Sequence, residues 1–219
     1  MLHVWMVLTL LVTGTQGLPK GQFPEGWTVR LDDAAGHAAH GTAAPAAGPS
    51  TTDISFVAMP PGWHITTGPS AILYQAAQKA SGAYTLRSQI FLFDPGTRQE
   101  AFGVLLGGRN LDGPQQAYTY FVIRRTGEFL VRRRTGAATV TVKEWTANAA
   151  IRKFEDRAAG KSSVLNVLEV KVAPDATAFV VNGAEVARVP SKDIETDGIV
   201  GLRVNHELNL HVSALEIVK

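Results

Sequence analysis

Two tyrosines and two arginines at alternating positions carry the clearest binding chemistry in this sequence. In the segment AYTYFVIRRTGEFLVRRR, Tyr118 and Tyr120 stand two residues apart, and Arg132 and Arg134 repeat that spacing. A tyrosine offers an apolar ring with a hydroxyl group, and an arginine offers a planar fork of N–H donors. Because sugars have apolar C–H faces and polar rims, this combination predicts a carbohydrate-binding surface. The five arginines between residues 124 and 134 also favour an acidic glycan.

The same segment predicts the β-hairpin that would bring these four side chains together. The loop Arg125-Thr126-Gly127 provides a glycine at the left-handed position of a three-residue connection. A two-residue loop would mix tyrosine, arginine and valine on both faces, so the hydrophobic pattern favours the longer loop. The resulting register creates one buried face, which comprises Phe121, Ile123, Phe129 and Val131. The tyrosines and arginines then occupy the opposite face.

A period of two in the hydrophobic pattern extends over most of the chain after residue 53. Segments 83–93, 138–145, 164–172, 198–204 and 208–218 alternate in this way, and Gly, Pro, Asn and Asp residues separate them. Asn182-Gly183 is the signature of a two-residue type I′ hairpin turn. Only residues 148–159 have a short helical pattern, enough for one or two turns. These features predict an all-β fold, a two-sheet antiparallel β-sandwich of the jelly-roll type.

The segment 138–145 adds a third aromatic residue to the tyrosine–arginine face. In ATVTVKEW, Trp145 falls opposite Val140 and Val142 in the alternation. Since the valines are expected to face the core side of their strand, the indole ring is expected on the other side. Trp145 is therefore predicted to join the same non-core surface.

The N-terminal part of the chain differs from this pattern. Residues 1–17 contain an apolar run followed by small and polar residues, with Thr15 and Gly17 before a plausible cleavage point, which predicts a signal peptide. This segment lacks Lys and Arg, so a buried N-terminal segment or a misplaced start codon is the alternative. Residues 18–52 contain one strand and an Ala/Gly/Pro-rich loop, and residues 53–219 form the predicted sandwich domain. The expected location is secreted or periplasmic, with no transmembrane segment in the mature chain.

Composition excludes several classes of function. The 219 residues include 21 Lys and Arg against 19 Asp and Glu, and a net charge of +2 is too small for a typical nucleic-acid-binding surface. The chain has no cysteine, which excludes disulfides, thiolate nucleophiles and zinc–thiolate sites. His37 and His40 have a spacing compatible with metal binding. They lie in the Ala/Gly/Pro-rich loop, however, where solvated side chains are the simpler interpretation.

Two further segments contain histidine. HELNLH resembles a zinc-protease motif but separates His206 and His211 by five positions instead of four. His206 is therefore predicted to lie in a turn and His211 on a strand, where positions five apart face opposite ways. Trp63-His64 is interpreted as the start of a strand, with Trp63 towards the core and His64 on the other face.

The chain resembles a known family over roughly residues 53–219. The segments GAYTLRSQIFLF, EAFGVLLGGRNLDG, FVVNGAEV and DGIVGLRV are similar to concanavalin-like or laminin-G-like jelly-roll domains, in particular to secreted bacterial domains grouped with the keto-disaccharide hydrolases. This fold hosts lectins, glycosidases and interaction modules, so the resemblance implies a fold rather than one activity. By analogy with laminin-G-like relatives, Asn110 and Asp112 offer oxygens to a calcium ion at the rim, and a solvated turn is the alternative.

The sequence therefore predicts an exported, non-catalytic β-sandwich that binds carbohydrate through Tyr118, Tyr120, Arg132, Arg134 and Trp145. One alternative is a hydrolase or lyase acting on oxidised (3-keto) disaccharides or related glycosides. No strand carries the Glu-x-Asp-x-Glu pattern of concanavalin-like glucanases, although carboxylates from different strands can still converge. A second alternative is a protein-interaction domain of the cell envelope. Carboxylates around a pocket would favour the enzyme, and exposed aromatic rings without them would favour the sugar-binding module.

Overall fold

The structure is a computed structural model and describes residues 19–32 and 48–219. Within these ranges the chain forms fourteen β-strands and three single turns of 3₁₀ helix, at Thr51–Asp53, Phe154–Asp156 and Ser191–Asp193. The strands, numbered β1 to β14 in chain order, are Thr28–Leu31, Ser55–Ala58, Trp63–Thr66, Ala71–Ala80, Tyr84–Phe93, Ala101–Arg109, Ala117–Arg124, Glu128–Thr135, Ala138–Ala147, Ser163–Val172, Ala176–Val181, Ala184–Pro190, Gly198–Val204 and Asn209–Val218.

These strands form two antiparallel sheets of seven strands each. Sheet A has the order β1-β4-β13-β6-β7-β8-β9, and sheet B has the order β12-β11-β10-β5-β14-β3-β2. Strands from distant parts of the chain are neighbours, since β13 lies between β4 and β6 and β14 lies between β3 and β5. The predicted two-sheet β-sandwich of the jelly-roll type is confirmed. β1 pairs with β4 at the edge of sheet A, so a strand before residue 53 belongs to the sandwich.

The core lies between the two sheets and is built from alternate residues of their strands. In β5, buried and partly exposed positions alternate along the whole strand, because every second side chain points into the sandwich. Its core residues are those that the alternation predicts, Tyr84, Leu86, Ile90 and Leu92. An unbroken register with β10 determines which face of β5 is buried.

The hairpin of β7 and β8 has the predicted three-residue loop. Arg124 pairs with Glu128, which leaves residues 125–127 as the connection. Gly127 adopts a φ of 85°, which glycine reaches without steric cost. Phe121, Ile123, Phe129 and Val131 face the core, as predicted. On the other side of the sheet Tyr118 pairs with Arg134 and Tyr120 with Arg132. The predicted register is therefore confirmed.

The second hairpin and the Trp63-His64 pair also agree with prediction. Asn182 and Gly183 connect β11 to β12 with φ values of 51° and 87°. Trp63 packs against the core and contacts Trp27 edge-on, with ring centroids 5.0 Å apart. His64 lies on the opposite face of β3. Residues 148–159 contain one turn of 3₁₀ helix and no α-helix.

Several predictions concern residues that the structure does not describe. The signal peptide at residues 1–17 and the pair His37 and His40 lie outside the described residues, and they stay predictions. Within the described part of the chain, the structure contains no helix long and apolar enough to cross a membrane. His206 lies in the turn before β14 and His211 within that strand, as predicted.

Candidate functional site

The outer face of sheet A, which points away from the core, carries a second apolar cluster. Its buried members are Ile72, Tyr74, Ala101, Leu105, Leu111, Tyr118, Tyr120, Val122 and Leu130. Trp145 and Ile199 pack against this cluster from partly exposed positions. Tyr118 is only 1% exposed and Tyr120 only 4%, and their ring centroids lie 5.8 Å apart. The two rings are therefore enclosed, and they do not form an open platform for a ligand.

A buried carboxylate organises the polar part of this face. Asp32 directly follows β1 and accepts hydrogen bonds from the guanidinium groups of Arg134, on β8, and Arg203, on β13. The Tyr118 hydroxyl lies 3.4 Å from the same carboxylate, and Arg203 donates to that hydroxyl at 3.3 Å. The side chains of all three charged residues are nearly buried, with 12% exposure at most. We name Asp32, Tyr118, Tyr120, Arg134 and Arg203 the arginine–tyrosine cluster.

Arg203 reaches this cluster by crossing β6. The register places Arg203 beside Gly103 of β6, and Gly103 beside Val122 of β7. Because Gly103 has no side chain, the Arg203 side chain extends over it towards β7. Its guanidinium lies 4.5 Å from the centre of the Tyr120 ring, a cation–π distance. A Cβ atom at position 103 would lie 2.2 Å from the carbonyl oxygen of Phe121, so the strands require glycine there.

Burial and neighbouring charges shift the pKa of two residues of the cluster. Burial raises the pKa of the Tyr118 hydroxyl, and the positive charge of Arg203 partly opposes that shift. Burial also lowers the pKa of Arg134, and repulsion from Arg203 and Arg30 adds to this effect. The cluster thus concentrates positive charge and hydrogen-bond donors on the outer face of sheet A.

A cavity opens at one end of sheet A, beside the arginine–tyrosine cluster. It has a volume of about 210 Å³ and is lined by Gly107, Arg109, Ala117, Tyr118, Arg133, Arg134, Thr135 and Glu195. Arg109 and Glu195 form an ion pair, and both side chains are more than half exposed. Arg133 donates to the carbonyl oxygen of Asp193 at 3.3 Å. The cavity therefore combines several hydrogen-bond donors with one carboxylate.

A wider groove adjoins this cavity. Its volume is about 610 Å³, and its lining comprises Lys79, Ala80, Ser81, Gly108, Arg109, Asn110, Asp197, Gly198 and Ile199. Arg109 lines both spaces, so they are neighbours. The strand ends of β4 and β6 and the start of β13 form the groove, which places it at the same end of sheet A.

The structure distributes the five predicted site residues unequally. Tyr118 and Arg134 line the cavity, and Tyr120 lies under the Arg203 guanidinium. Arg132 is half-buried on the same face, and its Nε donates to the Thr141 hydroxyl of β9 at 3.0 Å. Trp145 lies at the other end of the hairpin, where the Arg124 guanidinium covers its ring at 4.3 Å. All five share the outer face of sheet A, but Arg132 and Trp145 are not among the residues that line the cavity.

The two residues predicted to bind calcium lie between β6 and β7. Asn110 lines the groove, whereas Asp112 lies near Tyr74. Burial raises the pKa of the Tyr74 hydroxyl, and the negative charge of Asp112 adds to the shift. No cluster of three or more His, Asp or Glu residues suited to a metal ion occurs in the described ranges. The calcium hypothesis depends on Asn110 and Asp112 and stays a prediction.

Sequence reasoning missed five residues of this site, Asp32, Arg109, Arg133, Glu195 and Arg203. Arg203 had a usable signal, because it is the polar position of an alternating strand and must point away from the core. Asp32, Arg109 and Glu195 stand at strand ends or in connections, where periodicity carries no information. Arg133 lies inside β8, two positions after the core residue Val131. Asp32 and Arg134 are 102 positions apart in the chain, so only the fold brings them together.

Comparison with solved structures identifies the fold. A carbohydrate-binding module, CBM66 from Bacillus subtilis, matches with a TM-score of 0.59 and 11% identity over 89% of this chain and 96% of that chain. A glycoside hydrolase family 16 endo-glucanase from Bacteroides ovatus matches with a TM-score of 0.59 and 8% identity over 90% and 97%. A Bacillus subtilis protein of unknown function with a galectin-like fold matches with a TM-score of 0.53 and 9% identity over 88% of each chain.

These similarities show that the chain has a concanavalin-like jelly-roll fold, as predicted. Identities of 8–11% establish the fold alone, because this architecture hosts many functions. No protein-family model matches the chain, and no curated protein sequence matches it. The link to keto-disaccharide hydrolases stays a prediction.

Proposed function

We propose that this protein is an exported carbohydrate-binding β-sandwich whose sugar site is the cavity at the end of sheet A. One observation carries the proposal: the cavity brings Tyr118 together with Arg109, Arg133, Arg134 and Glu195. A sugar ring needs hydrogen bonds around its rim and an apolar contact on one side, and the arginine donors and Ala117 of this lining offer both. The carbohydrate-binding module and the endo-glucanase of similar fold support a sugar ligand in general.

The dimensions of the site favour a short ligand. Pockets for drug-sized molecules typically measure about 300–1,000 Å³, and this cavity of about 210 Å³ is smaller. It suits one sugar ring or the end of a chain. Further rings would extend into the groove of about 610 Å³, where Arg109, Asn110 and Asp197 offer polar contacts.

The charges of the lining favour an acidic sugar. Three of its side chains are arginines and one is a glutamate, which is already paired with Arg109. Arg133 binds a backbone carbonyl, and no ion pair joins it to a carboxylate within the described part of the chain. A guanidinium fork matches the geometry of a carboxylate. A uronic acid is therefore the expected class of ligand, with its carboxylate on Arg133.

The lining suits binding better than hydrolysis. A glycosidase requires two carboxyl groups that flank the scissile bond. Glu195 is the one carboxylate among the described lining residues, and it forms an ion pair with Arg109. Hydrolysis or elimination of oxidised disaccharides would need a second acid at this site, so we place the enzymatic alternative below sugar binding.

A glycan array followed by isothermal titration calorimetry tests the proposal. The full chain is expected to retain oligosaccharides that contain uronic acid and to bind neutral ones less strongly. Arg133→Ala should weaken binding about tenfold or more, because it removes a charge-assisted hydrogen bond. Arg98→Ala is the control, since Arg98 is an exposed arginine, 53% accessible, and pairs with Glu207 away from the cavity lining.

Two further arms of this experiment separate the alternatives. Release of new reducing ends or unsaturated products during incubation would favour the enzyme. Loss of binding in the presence of a chelator, reproduced by Asp112→Ala, would add calcium to the site. An array without any retained glycan, or equal binding by Arg133→Ala and wild type, would contradict the proposed site.

A further inference from the structure

We infer that His64, His211 and the amide oxygen of Asn209 form a binding site for a divalent transition-metal ion on the outer face of sheet B. This site lies on the other sheet from the proposed sugar site and does not depend on it. Imidazole nitrogen is the common protein ligand of Zn²⁺, Cu²⁺ and Ni²⁺, and an amide oxygen can complete the set. The inference rests on register, hydrogen bonding and burial.

The register brings the three side chains to one spot. β3 and β14 are antiparallel neighbours in which His64 and His211 are directly opposed, so the two rings point to the same face of sheet B. Asn209 precedes His211 by two positions and therefore shares that face. The imidazole centroids lie 6.2 Å apart, with an angle of 38° between the ring planes.

A hydrogen bond holds one of the two histidines in the form that binds metal. Nε2 of His211 lies 2.9 Å from the carbonyl oxygen of Pro61. Because a carbonyl oxygen only accepts, this nitrogen must carry the hydrogen, which leaves the lone pair on Nδ1. Histidines that bind metals usually donate their other N–H to such an acceptor, and the bond fixes both tautomer and ring orientation.

Asn209 supplies an oxygen that lacks a good partner. Its side chain lies beside the His64 ring. Oδ1 is nevertheless buried and forms no hydrogen bond of acceptable geometry. A buried acceptor without a partner costs free energy, and a cation bound between Asn209 and His64 would satisfy it. The Asn209 oxygen is thus a second observation beside the histidine pair.

Two phenylalanines of β5 form an apolar wall on one side of the site. Phe93 contacts His64 edge-on at 5.4 Å, and Phe91 lies 6.0 Å from His211. Two imidazoles on one Zn²⁺, at bond lengths of about 2.0–2.1 Å, place their centroids about 5 Å apart. The rings must therefore approach by about 1 Å. Rotation of the half-exposed His64 side chain supplies this movement, while His211 keeps its hydrogen bond to Pro61.

Zinc titration of histidine variants tests the inference. His3, His37 and His40 lie outside the described residues and can bind metal by themselves, so the starting protein is the full chain with all three changed to alanine. We expect this background protein to bind one equivalent of Zn²⁺ by isothermal titration calorimetry. Within that background, His64→Ala or His211→Ala should weaken binding at least about tenfold, and Asn209→Ala less.

His206→Ala is the control, because His206 lies in a turn and is not part of the pair. It should leave Zn²⁺ affinity unchanged. Thermal unfolding without metal shows whether each variant is folded, and His64→Gln with His211→Gln gives a second pair that keeps polar side chains. If the background protein does not bind Zn²⁺, or binds it equally well after both histidines are replaced, the inference is wrong.

Discussion

The outer faces of the two sheets are built in different ways. On sheet A, β6 and β7 are buried along almost their whole length, and polar groups from β7, β8 and β13 meet the Asp32 carboxylate. On sheet B, every second residue of β5 and β10 is partly exposed. Charged residues there form loose pairs, such as Arg87 with Glu169 and Glu216 at 3.7 Å.

This difference determines where a ligand can bind and what a substitution does. The outer face of sheet A is closed, so a ligand meets its donors at the end of the strands, where the cavity opens. The outer face of sheet B is accessible, so a ligand can meet side chains directly on the strands. A change on sheet A should disturb several strands at once, whereas a change on sheet B should remain local.

The largest expected effect comes from the carboxylate of the arginine–tyrosine cluster. Asp32→Asn leaves the guanidinium groups of Arg134 and Arg203 buried beside a neutral amide. We expect a loss of about 3–5 kcal/mol in the free energy of unfolding, because removing one partner of a buried ion pair exposes the desolvation cost of the other. Urea unfolding monitored by fluorescence measures this loss of free energy.

Glu185→Gln on β12 is the matched control for sheet B. Glu185 pairs with Arg188, but both side chains are largely exposed, so the urea midpoint should not change measurably. Equal losses in the free energy of unfolding for Asp32→Asn and Glu185→Gln would contradict this difference between the two outer faces.

Asn182 lies in the turn between β11 and β12 of sheet B and is an exception there, because its side chain forms three hydrogen bonds. Its Nδ2 donates to Ala150 at 2.7 Å and to Asn166 at 2.8 Å, and its Oδ1 accepts from the Val167 amide at 2.9 Å. Asn182→Ala should cost about 3 kcal/mol, since three hydrogen bonds of about 1 kcal/mol each are lost. Urea unfolding again provides the measurement.

Asn182→Gly separates the turn from the hydrogen bonds. Glycine accepts the φ of 51° at this position, whereas alanine is strained there. The glycine variant should therefore be about 1 kcal/mol more stable than the alanine variant. If the two variants were equally stable, backbone strain at the turn would play no part.

A smaller loss is expected from Gly103→Ala on β6. The added Cβ meets the Phe121 carbonyl oxygen and the path of the Arg203 side chain, so β6 and β7 must move apart. Overpacking of this kind typically costs about 1–3 kcal/mol. Gly48→Ala has no atom within 4 Å of the added carbon and serves as the neutral reference. Thermal unfolding of both variants compares them, and identical melting temperatures would contradict this account of β6.

The smallest effect is expected for the pair of Glu100 and His206, which borders sheet A. A hydrogen bond from His206 holds the pKa of Glu100 below its usual value of 4.5. A carboxyl with a lowered pKa in the folded state stabilises the protein above its unfolded pKa, and this stabilisation is lost as pH falls through the folded pKa. The melting temperatures of wild type and Glu100→Gln should therefore differ near neutral pH and converge as the pH falls below the folded pKa of Glu100.

A double substitution identifies the cause of this pH dependence. In a His206→Ala background, Glu100→Gln should change the slope of melting temperature against pH much less, because the His206 side-chain donor has been removed. A slope that persists in this background would assign the effect to another neighbour of Glu100.

The limits of prediction are visible in β7. Its register, its loop and the face of each side chain followed from the alternation of Tyr118, Tyr120, Phe121 and Ile123 and from the glycine at 127. The burial of both tyrosines did not follow, although YTYFVI is apolar on both faces, which is typical of a strand covered on both sides. Local pattern tells which face a residue occupies, but what covers that face depends on the rest of the fold.

The sequence by itself determined the sandwich class, the two hairpins and the outward orientation of the tyrosines and arginines, because these depend on the period of two and on positive φ at turns. Only the tertiary structure decided that Asp32 would meet Arg134 and Arg203, that a cavity would open between Tyr118 and Glu195, and that His64 would oppose His211. The physical reason is sequence distance. These contacts join residues that lie 77 to 171 positions apart, and no local pattern records which strands become neighbours in a jelly roll.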